Sequence, residues 1–471
     1  MKIFIYAFAN TALFFNEVFR MSINRGDNIE WGVIYPSHNH KLRSSDILKK
    51  ENIFYLYEDF NTYYSEENLK YSLSDSSANI HKMIAVSKNG YKKYDATKQE
   101  KNANTIYKLY RDFLVKNKPD CVIFPDLEVV DGAILLNLCK EMRIEVMYSV
   151  HTRLLGETIF CQDNYETLPK YYGKFNEKNL KKSRIFLDKF QDNYIKAYNS
   201  SSCNGERIKV DIPGKWLRLA KDLYYKFKHE KKGINEATYF VKLLIIFPKI
   251  HNFYRRIKFI FFQKKYFSVF NDVNKTPDNF IYFPLQMTPE SSINGLEPYF
   301  VEQERLIDLI RLNMPHNFSL LVKEHPVMVG ARETSFYKKN YNKTGVIFID
   351  SRVSSFELID KARLTVTITG TVGLEAYLSN KKIMLFGPTF FAHLCNKFDS
   401  YLKLREILQD ITVNKVNRSD KEKVVQMAKI YNVSYGFELN DPISHPNVME
   451  IRNIVIFINS VKDHIKRLAN D

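Results

Sequence analysis

The chain has 471 residues, 45% of them hydrophobic and 26% charged, with a formal net charge of +17. That length is too great for one ordinary core and implies two or three domains, while the balance excludes a disordered or fibrous chain. The positive excess favours an anionic partner: a nucleotide, an acidic glycan, an anionic membrane surface or nucleic acid.

The chain opens on Met1–Ala9, an apolar run that superficially resembles a signal peptide. The run is short, is broken by Asn10 and has no small-residue cleavage site, so it reads as the first strand of a parallel sheet. Strands are expected over Ile3–Phe8, Trp31–Tyr35, Cys121–Phe124 and Ile144–Ser149. Helices are expected over Ala103–Lys116 and Val130–Met142, where apolar residues return every three or four positions. This alternation implies a parallel sheet. The five cysteines (Cys121, Cys139, Cys161, Cys203 and Cys395) are odd in number and form no C-x-x-C pair. A disulfide framework and a cysteine zinc site are therefore not expected, and free thiols in a reducing cytoplasm are the simple reading.

From Asn204 to Lys275 basic residues outnumber acidic ones roughly three to one, and the pattern is helical. Within it, Tyr239–Phe270 interleaves Lys and Arg with Phe, Tyr, Ile and Leu. No apolar run there reaches the roughly 18 residues needed to cross a bilayer. Two readings stand: a helical connector with its basic face in water, or an amphipathic segment lying on an anionic membrane. After Lys275 the alternation resumes. Strands are expected over Asn279–Pro284, Ser319–Lys323, Val346–Ile349, Leu364–Ile368 and Ile383–Phe386. Helices are expected over Glu302–Asn313, Ser355–Lys361 and Gly373–Leu378, which makes a second doubly wound domain. The tail, Glu422–Ile430 and Asn447–Leu468, reads as helical. The expected division is residues 1–203, a first Rossmann-like domain; 204–275, the basic connector; and 276–471, a second Rossmann-like domain with terminal helices.

In open α/β sheets, ligands bind beyond the carboxyl ends of the strands. Two such ends stand out. Leu320–Lys323 runs into Glu324-His325-Pro326, where proline keeps His325 out of helical conformation. The imidazole there either donates to a phosphate, with Lys323 and Arg332 alongside, or is a structural turn residue. Thr365–Ile368 runs into Thr369-Gly370-Thr371-Val372-Gly373, a turn whose glycines let a ligand approach the backbone. It is neither a dinucleotide fingerprint nor a P-loop. Glu375 just beyond either complements the helix dipole or binds ribose hydroxyls. Ser354, with Glu357 three positions on, is a capping box, or Ser354 and Ser355 face a phosphate. Gln286 lies in the proline-bounded loop that leaves Phe283-Pro284 and is expected to line the cleft.

In the first half, Asp126, Glu128 and Asp131 follow the strand Cys121–Phe124 and form either a solvated helix start or the source of a general base. His151 and Arg153 follow the next strand on the acceptor side. No Asp-x-Asp loop and no His or carboxylate pair at metal spacing is found, so no metal or cofactor is expected. No RNA- or DNA-binding module is recognised either, so nucleic acid is not expected as a partner.

The motif residues resemble a known family. Tyr282-Phe283-Pro284-Leu285-Gln286 with Pro289-Glu290-Ser291, Val322–Pro326 with Gly330 and Arg332, and Thr367–Ala376 followed by Phe386-Gly387 are similar to the bacterial capsule polysaccharide biosynthesis family. That family includes β-Kdo transferases. The resemblance covers residues 279–388. It implies a GT-B fold, two Rossmann-like doubly wound domains facing a central cleft, here with a basic helical insert. By similarity to CMP-sialic-acid transferases of that fold, His325, Pro326, Ser354 and Ser355 would approach the cytidylyl phosphate, and Glu375 the ribose or cytosine. Gln286-Met287 departs from the His or Tyr that other members often carry, which leaves the sugar pocket unread.

The expected function is a cytoplasmic glycosyltransferase of capsule-type polysaccharide assembly, possessing the option of peripheral association with the inner membrane. It would transfer an acidic sugar, Kdo from CMP-β-Kdo first, to a glycan or glycolipid by single displacement. Glu128, then Asp126, would be the base. His325, Lys323 and Arg332, with Thr369, Gly370 and Thr371, would hold the leaving nucleotide. The rival readings are a nucleotide-sugar epimerase of similar fold and a non-catalytic glycan-binding regulator.

Overall fold

The computed structural model describes residues 1–7, 10–36, 47–56, 60, 96–125, 127, 130–152, 155–190, 273–288, 293, 297–329, 332–351, 353–409, 411 and 416–470. The basic segment around 204–272 lies outside them. The chain divides into two compact units, one made of Met1–Ala197, Thr288–Glu302 and Arg363–Asp471, the other of Tyr198–Met287 and Gln303–Ala362.

The first sheet contains β1 (Lys2–Tyr6), β2 (Glu30–Tyr35), β3 (Ile53–Tyr55), β4 (Cys121–Phe124), β5 (Glu145–His151), β6 (Thr158–Cys161) and β13 (Ser434–Tyr435). Their order is β13-β6-β5-β4-β1-β2-β3. Strands β1 to β5 pair in parallel, whereas β6 runs antiparallel to both β5 and β13. β1 is central and buried along almost its whole length, which is why it reads as an unbroken apolar run. The second sheet has the order β12-β11-β10-β7-β8-β9. It is made of β7 (Phe280–Pro284), β8 (Ser319–Lys323), β9 (Val346–Ile349), β10 (Leu364–Thr367), β11 (Ile383–Leu385) and β12 (Asn396–Lys397). Counted from each sheet's own first strand, both orders run 3-2-1-4-5-6, the doubly wound Rossmann arrangement, with β13 added as a seventh strand at the edge of the first sheet. The expected fold class, α/β with two Rossmann-like sheets, is what the structure contains.

Helices of the first unit are α1 (Thr11–Asn24), α2 (Ala96–Asn117), α3 (Val130–Glu141) and α4 (Glu177–Asp188). Those of the second are α5 (Glu304–Arg311), α6 (Thr334–Tyr341) and α7 (Ser355–Lys361). The first unit is completed by α8 (Val372–Leu378), α9 (Tyr401–Gln409), α10 (Asp420–Val433) and α11 (Ile451–Ala469).

The closing helices, grouped by the sequence reading with the second half, pack on the first sheet. One core cluster joins Ile3 and Ile5 of β1, Phe14, Phe15 and Phe19 of α1, and Ile454, Phe457, Ile458 and Val461 of α11. Phe457 is the hub: its ring lies 5.5 Å from Phe14 and 5.2 Å from Phe437, both edge-on. Such aromatic pairs add about 0.5–1.5 kcal/mol each beyond area burial. α10 packs along α4 in the same unit.

Candidate functional site

β8 ends at Lys323 with Glu324 next in the chain, and successive side chains at a strand end point to opposite sides. Each of these two charges is buried, and each ties down a different neighbouring loop. Lys323, 2% exposed, donates from Nζ to the Val353 carbonyl at 2.6 Å and to Ser355 Oγ at 2.7 Å. Tyr282 of β7 donates its hydroxyl to the same Ser355 oxygen at 3.1 Å. Ser354 caps α7, its side chain accepting from the Glu357 amide at 3.4 Å. The loop between β9 and α7 is thereby fixed to β7 and β8.

Glu324 is fully buried and serves the other side. Its Oε2 accepts from Arg332 Nε at 2.7 Å and from the Tyr337 hydroxyl at 2.5 Å, and its Oε1 from Arg332 Nη2 at 3.2 Å. Arg332 Nη2 also donates to the Gln286 carbonyl at 2.8 Å. Gln303 closes the arrangement, its side-chain amide pairing with the Gln286 backbone at 2.8 and 2.9 Å. The Arg332 guanidinium lies over the Phe336 ring at 4.9 Å. Burial pulls the Arg332 pKa down, but the charge and hydrogen bonds of Glu324, together with Tyr337, outweigh it and hold the guanidinium above its ordinary value. Burial, with the Glu324 charge adding to it, pushes the Tyr337 phenol well up.

His325 follows both struts. Its backbone amide donates to Glu324 Oε1 at 2.7 Å, its carbonyl accepts from Met328 at 2.8 Å, and the residue is half-buried. Pro326 begins a short 3₁₀ turn, Pro326–Met328. Lys323 and Arg332, expected alongside the phosphate, both bond to protein groups in the structure. The structure brings together Lys323 with Ser355, and Arg332 with Gln286. Gln286 takes part through its backbone, a role no side-chain pattern signals. Glu324, Gln303, Tyr282 and Tyr337 were not singled out in the sequence, although a carboxylate between Lys323 and His325 at the end of an apolar strand was a visible signal for Glu324.

The turn after β10 belongs to the other unit. Thr367 Oγ1 accepts from the Gly370 amide at 3.1 Å, and Gly370 in turn accepts from Gly373 at 3.0 Å. Thr369 is buried, whereas Gly370 and Thr371 are partly exposed. Thr371 Oγ1 donates to Glu375 Oε1 at 3.4 Å in the first turn of α8, where Glu375 is buried. Gly373 is required by packing, since a Cβ there would lie 2.9 Å from the Phe391 ring.

On the first sheet, His151 closes β5 and is half-buried. Asp131, in the first turn of α3, accepts from the Tyr6 hydroxyl at 2.8 Å and the Tyr110 hydroxyl at 3.5 Å. Burial raises its carboxyl to about 6 against the pull of those hydroxyls. Asp126, Glu128, Arg153 and Gly330 lie outside the described residues. Among the described residues, no group of three or more His, Cys, Asp or Glu is placed to hold a metal ion. None of the described helices is long and apolar enough to cross a membrane.

Two doubly wound sheets with charged and hydroxyl residues at their strand ends define an α/β protein of Rossmann-like class. Residues 220–403 match the family of capsule polysaccharide biosynthesis proteins, the family its motifs resemble, over a stretch that contains both motif segments. No curated protein matches the sequence significantly. Among solved structures, the KpsC β-Kdo 2,4 transferase of Thermosulfurimonas dismutans is 13% identical, with a TM-score of 0.36 over 66% of this chain and 79% of its own. The KpsC β-Kdo 2,7 transferase of the same organism is 14% identical, with a TM-score of 0.33 over 68% and 80%. UDP-GlcNAc 2-epimerase from Methanocaldococcus jannaschii is 12% identical, with a TM-score of 0.25 over 92% and 99%.

Proposed function

We propose that this protein is a glycosyltransferase of capsule-type polysaccharide assembly that uses a CMP-activated acidic sugar, Kdo first, and a glycan or glycolipid acceptor. The observation that carries the reading is the pair of buried struts beside His325, within the family-matched stretch. Lys323 and Glu324 hold the loops on either side of it, which supports a His325 backbone held in place before any ligand arrives. Preorganised donors of this kind stabilise charge that develops in a transition state.

The reaction is a single displacement. The acceptor hydroxyl oxygen attacks the anomeric carbon as the bond from that carbon to the CMP phosphate oxygen breaks. The hydroxyl proton passes to a carboxylate, Glu128 first and Asp126 second, and CMP leaves with its negative charge facing His325. Ser354, Ser355 and the Thr369–Thr371 turn complete the nucleotide side, with Glu375 near the ribose. His151 and Arg153 serve the acceptor side. No metal or cofactor is invoked. The basic segment 239–270 would hold the enzyme on the cytoplasmic face of an anionic membrane.

The test is incubation of the pure protein with CMP-Kdo, with and without a Kdo-primed glycolipid. Acceptor-dependent CMP release supports transfer. Conversion of a UDP-sugar without acceptor would make the protein an epimerase, and binding without turnover a regulator. Glu128→Gln is expected to keep donor binding and lose transfer. If only Asp126→Asn loses it, the base is Asp126; if neither does, the base lies elsewhere and Asp131 is the next carboxylate to replace.

A further inference from the structure

A carboxylate far from the motifs in sequence reaches the back of the Thr369–Thr371 turn. Glu166 lies in the tight turn after β6, where the Glu166 amide donates to the Asp163 carbonyl at 3.2 Å and Asp163 Oδ1 accepts from the Tyr165 and Thr167 amides. Its φ is +59°, a left-handed conformation that glycine adopts freely and a glutamate does not. Glycine would suit the backbone better, so the side chain needs its own account. Glu166 Oε2 accepts from the Thr389 hydroxyl at 2.9 Å and from the Phe390 amide at 3.0 Å.

Thr389 and Phe390 continue the segment that leaves β11, and that segment is the wall behind the turn. The Gly387 amide donates to the Ile368 carbonyl at 2.8 Å, one residue before the turn begins. A Cβ at Gly387 would stand 2.9 Å from Thr369 Cγ2. Phe391 fills the space that Gly373 leaves open on the other side of the same turn. Two residues further on, Tyr172, from the loop after β6, meets His393 with 2.6 Å between its hydroxyl and Nε2. A single line of contacts therefore runs from Glu166 through Thr389 and Phe390 to Gly387 and Phe391, and so to Thr369 and Gly373.

We infer that Glu166 is a positioning residue: it braces the segment 387–391 so that the Thr369–Thr371 turn keeps the shape in which it receives the nucleotide end of the donor. The inference rests on the proposed nucleotide role of that turn. Nothing in the local sequence signals Glu166, because both halves of the brace are ordinary loop residues until the fold joins them.

Two measurements separate the brace from the reading it rests on. Amide hydrogen exchange in the full protein, without ligand, tests the brace. Glu166→Ala should quicken exchange at Phe390 and Gly370 about tenfold or more, while Glu166→Gln, which keeps an acceptor oxygen, stays near wild type. Unchanged exchange in Glu166→Ala overturns the inference. Calorimetric titration with CMP tests the consequence. Glu166→Gly relieves the backbone while removing the carboxylate, so its thermal midpoint should stay within about 4 °C of wild type. Its CMP affinity should nevertheless fall about tenfold, with Glu166→Gln restoring most of it. Wild-type affinity in Glu166→Gly overturns the positioning role. A wild-type protein that ignores CMP overturns the nucleotide reading, and with it the assignment of this brace to a nucleotide pocket.

Discussion

The Lys323 ammonium lies 2.7 Å from Ser355 Oγ, and only 2% of Lys323 is exposed. A lysine at the end of an apolar strand beside a His-Pro pair invites a phosphate. Here its charge is held by a carbonyl and a hydroxyl at the start of α7. Lysine is rarely buried so completely, because desolvating an ammonium is costly unless its donors are satisfied.

Replacing Lys323 is therefore expected to damage the fold as well as the site. Lys323→Met leaves the Val353 carbonyl without this donor and should cost about 1–3 kcal/mol, read as a lower urea midpoint. Wild-type stability combined with lost nucleotide affinity would instead mark Lys323 as a direct ligand.

The Glu324–Arg332 pair is buried at both ends, with side-chain exposures of 0% and 8%. Removing one partner of such a pair costs about 3–5 kcal/mol, because the remaining charge is left uncompensated. Glu324→Gln and Arg332→Met are each expected to be strongly destabilising, and the double variant less so than their sum. A double-mutant cycle that closes additively would refute the coupling.

His325→Ala should leave stability near wild type, since the residue is half-buried and sits on a loop. Turnover should fall about 100-fold or more, as for the loss of a preorganised charge-stabilising donor. Near-normal turnover in the purified variant would return His325 to a turn-forming role.

Asp131 predicts an unusual pH response. Its folded pKa, about 6, lies above the ordinary 3.8, so the native state holds the proton more tightly. That contribution is complete below about pH 4 and is lost as pH rises through 6. Part of the residue remains in contact with water, so the effect is about 1–2 kcal/mol rather than the full value of a two-unit shift. Asp131→Asn should raise the thermal midpoint at pH 8, and the gain should vanish near pH 4. An equal gain at both pH values would contradict this.

His464 of α11 acts in the opposite direction. Burial, helped by Arg467, lowers its pKa from 6.5 to about 3, and the Tyr171 hydroxyl lies 2.7 Å from Nδ1. The unfolded chain takes up a proton that the native state refuses, so stability is present above about pH 6.5 and is lost on acidification towards 3. The slope is about 1.4 kcal/mol per pH unit within that window. His464→Gln should flatten the acid limb of a midpoint-against-pH curve; an unchanged limb would place the acid sensitivity elsewhere.

Much of the architecture was legible because it is local. β4, β8, β9 and α7 fall on the residues expected, each a short apolar run or periodic segment closed by a charge, a proline or a cap. α1 is not among the expected helices, although its buried positions, Ala12, Phe14, Phe15, Val18, Phe19 and Ser22, keep a helical period. α6 buries only Tyr337 and Asn340 and so shows almost no period. The start of α2 at Ala96 precedes the expected Ala103 because the intervening stretch is polar.

Composition and periodicity alone determined that the chain is α/β with two parallel-rich halves, and His-Pro with Thr-Gly-Thr-x-Gly marked two strand ends as chemically special. Those properties depend on residues adjacent in the chain, whose backbone preferences and burial pattern are readable in order. Tertiary structure decided where each charge acts. Lys323 and Glu324 are neighbours in sequence, yet strand alternation sends one to Ser355 and the other to Arg332, which no linear pattern announces. It also decided that α11 packs on α1 and on Phe160 of β6, and that Glu166 meets Thr389, 223 residues away. Such partners are chosen by the closing of the fold, where burying a charge or an aromatic ring is tolerated only if the rest of the chain supplies the matching group.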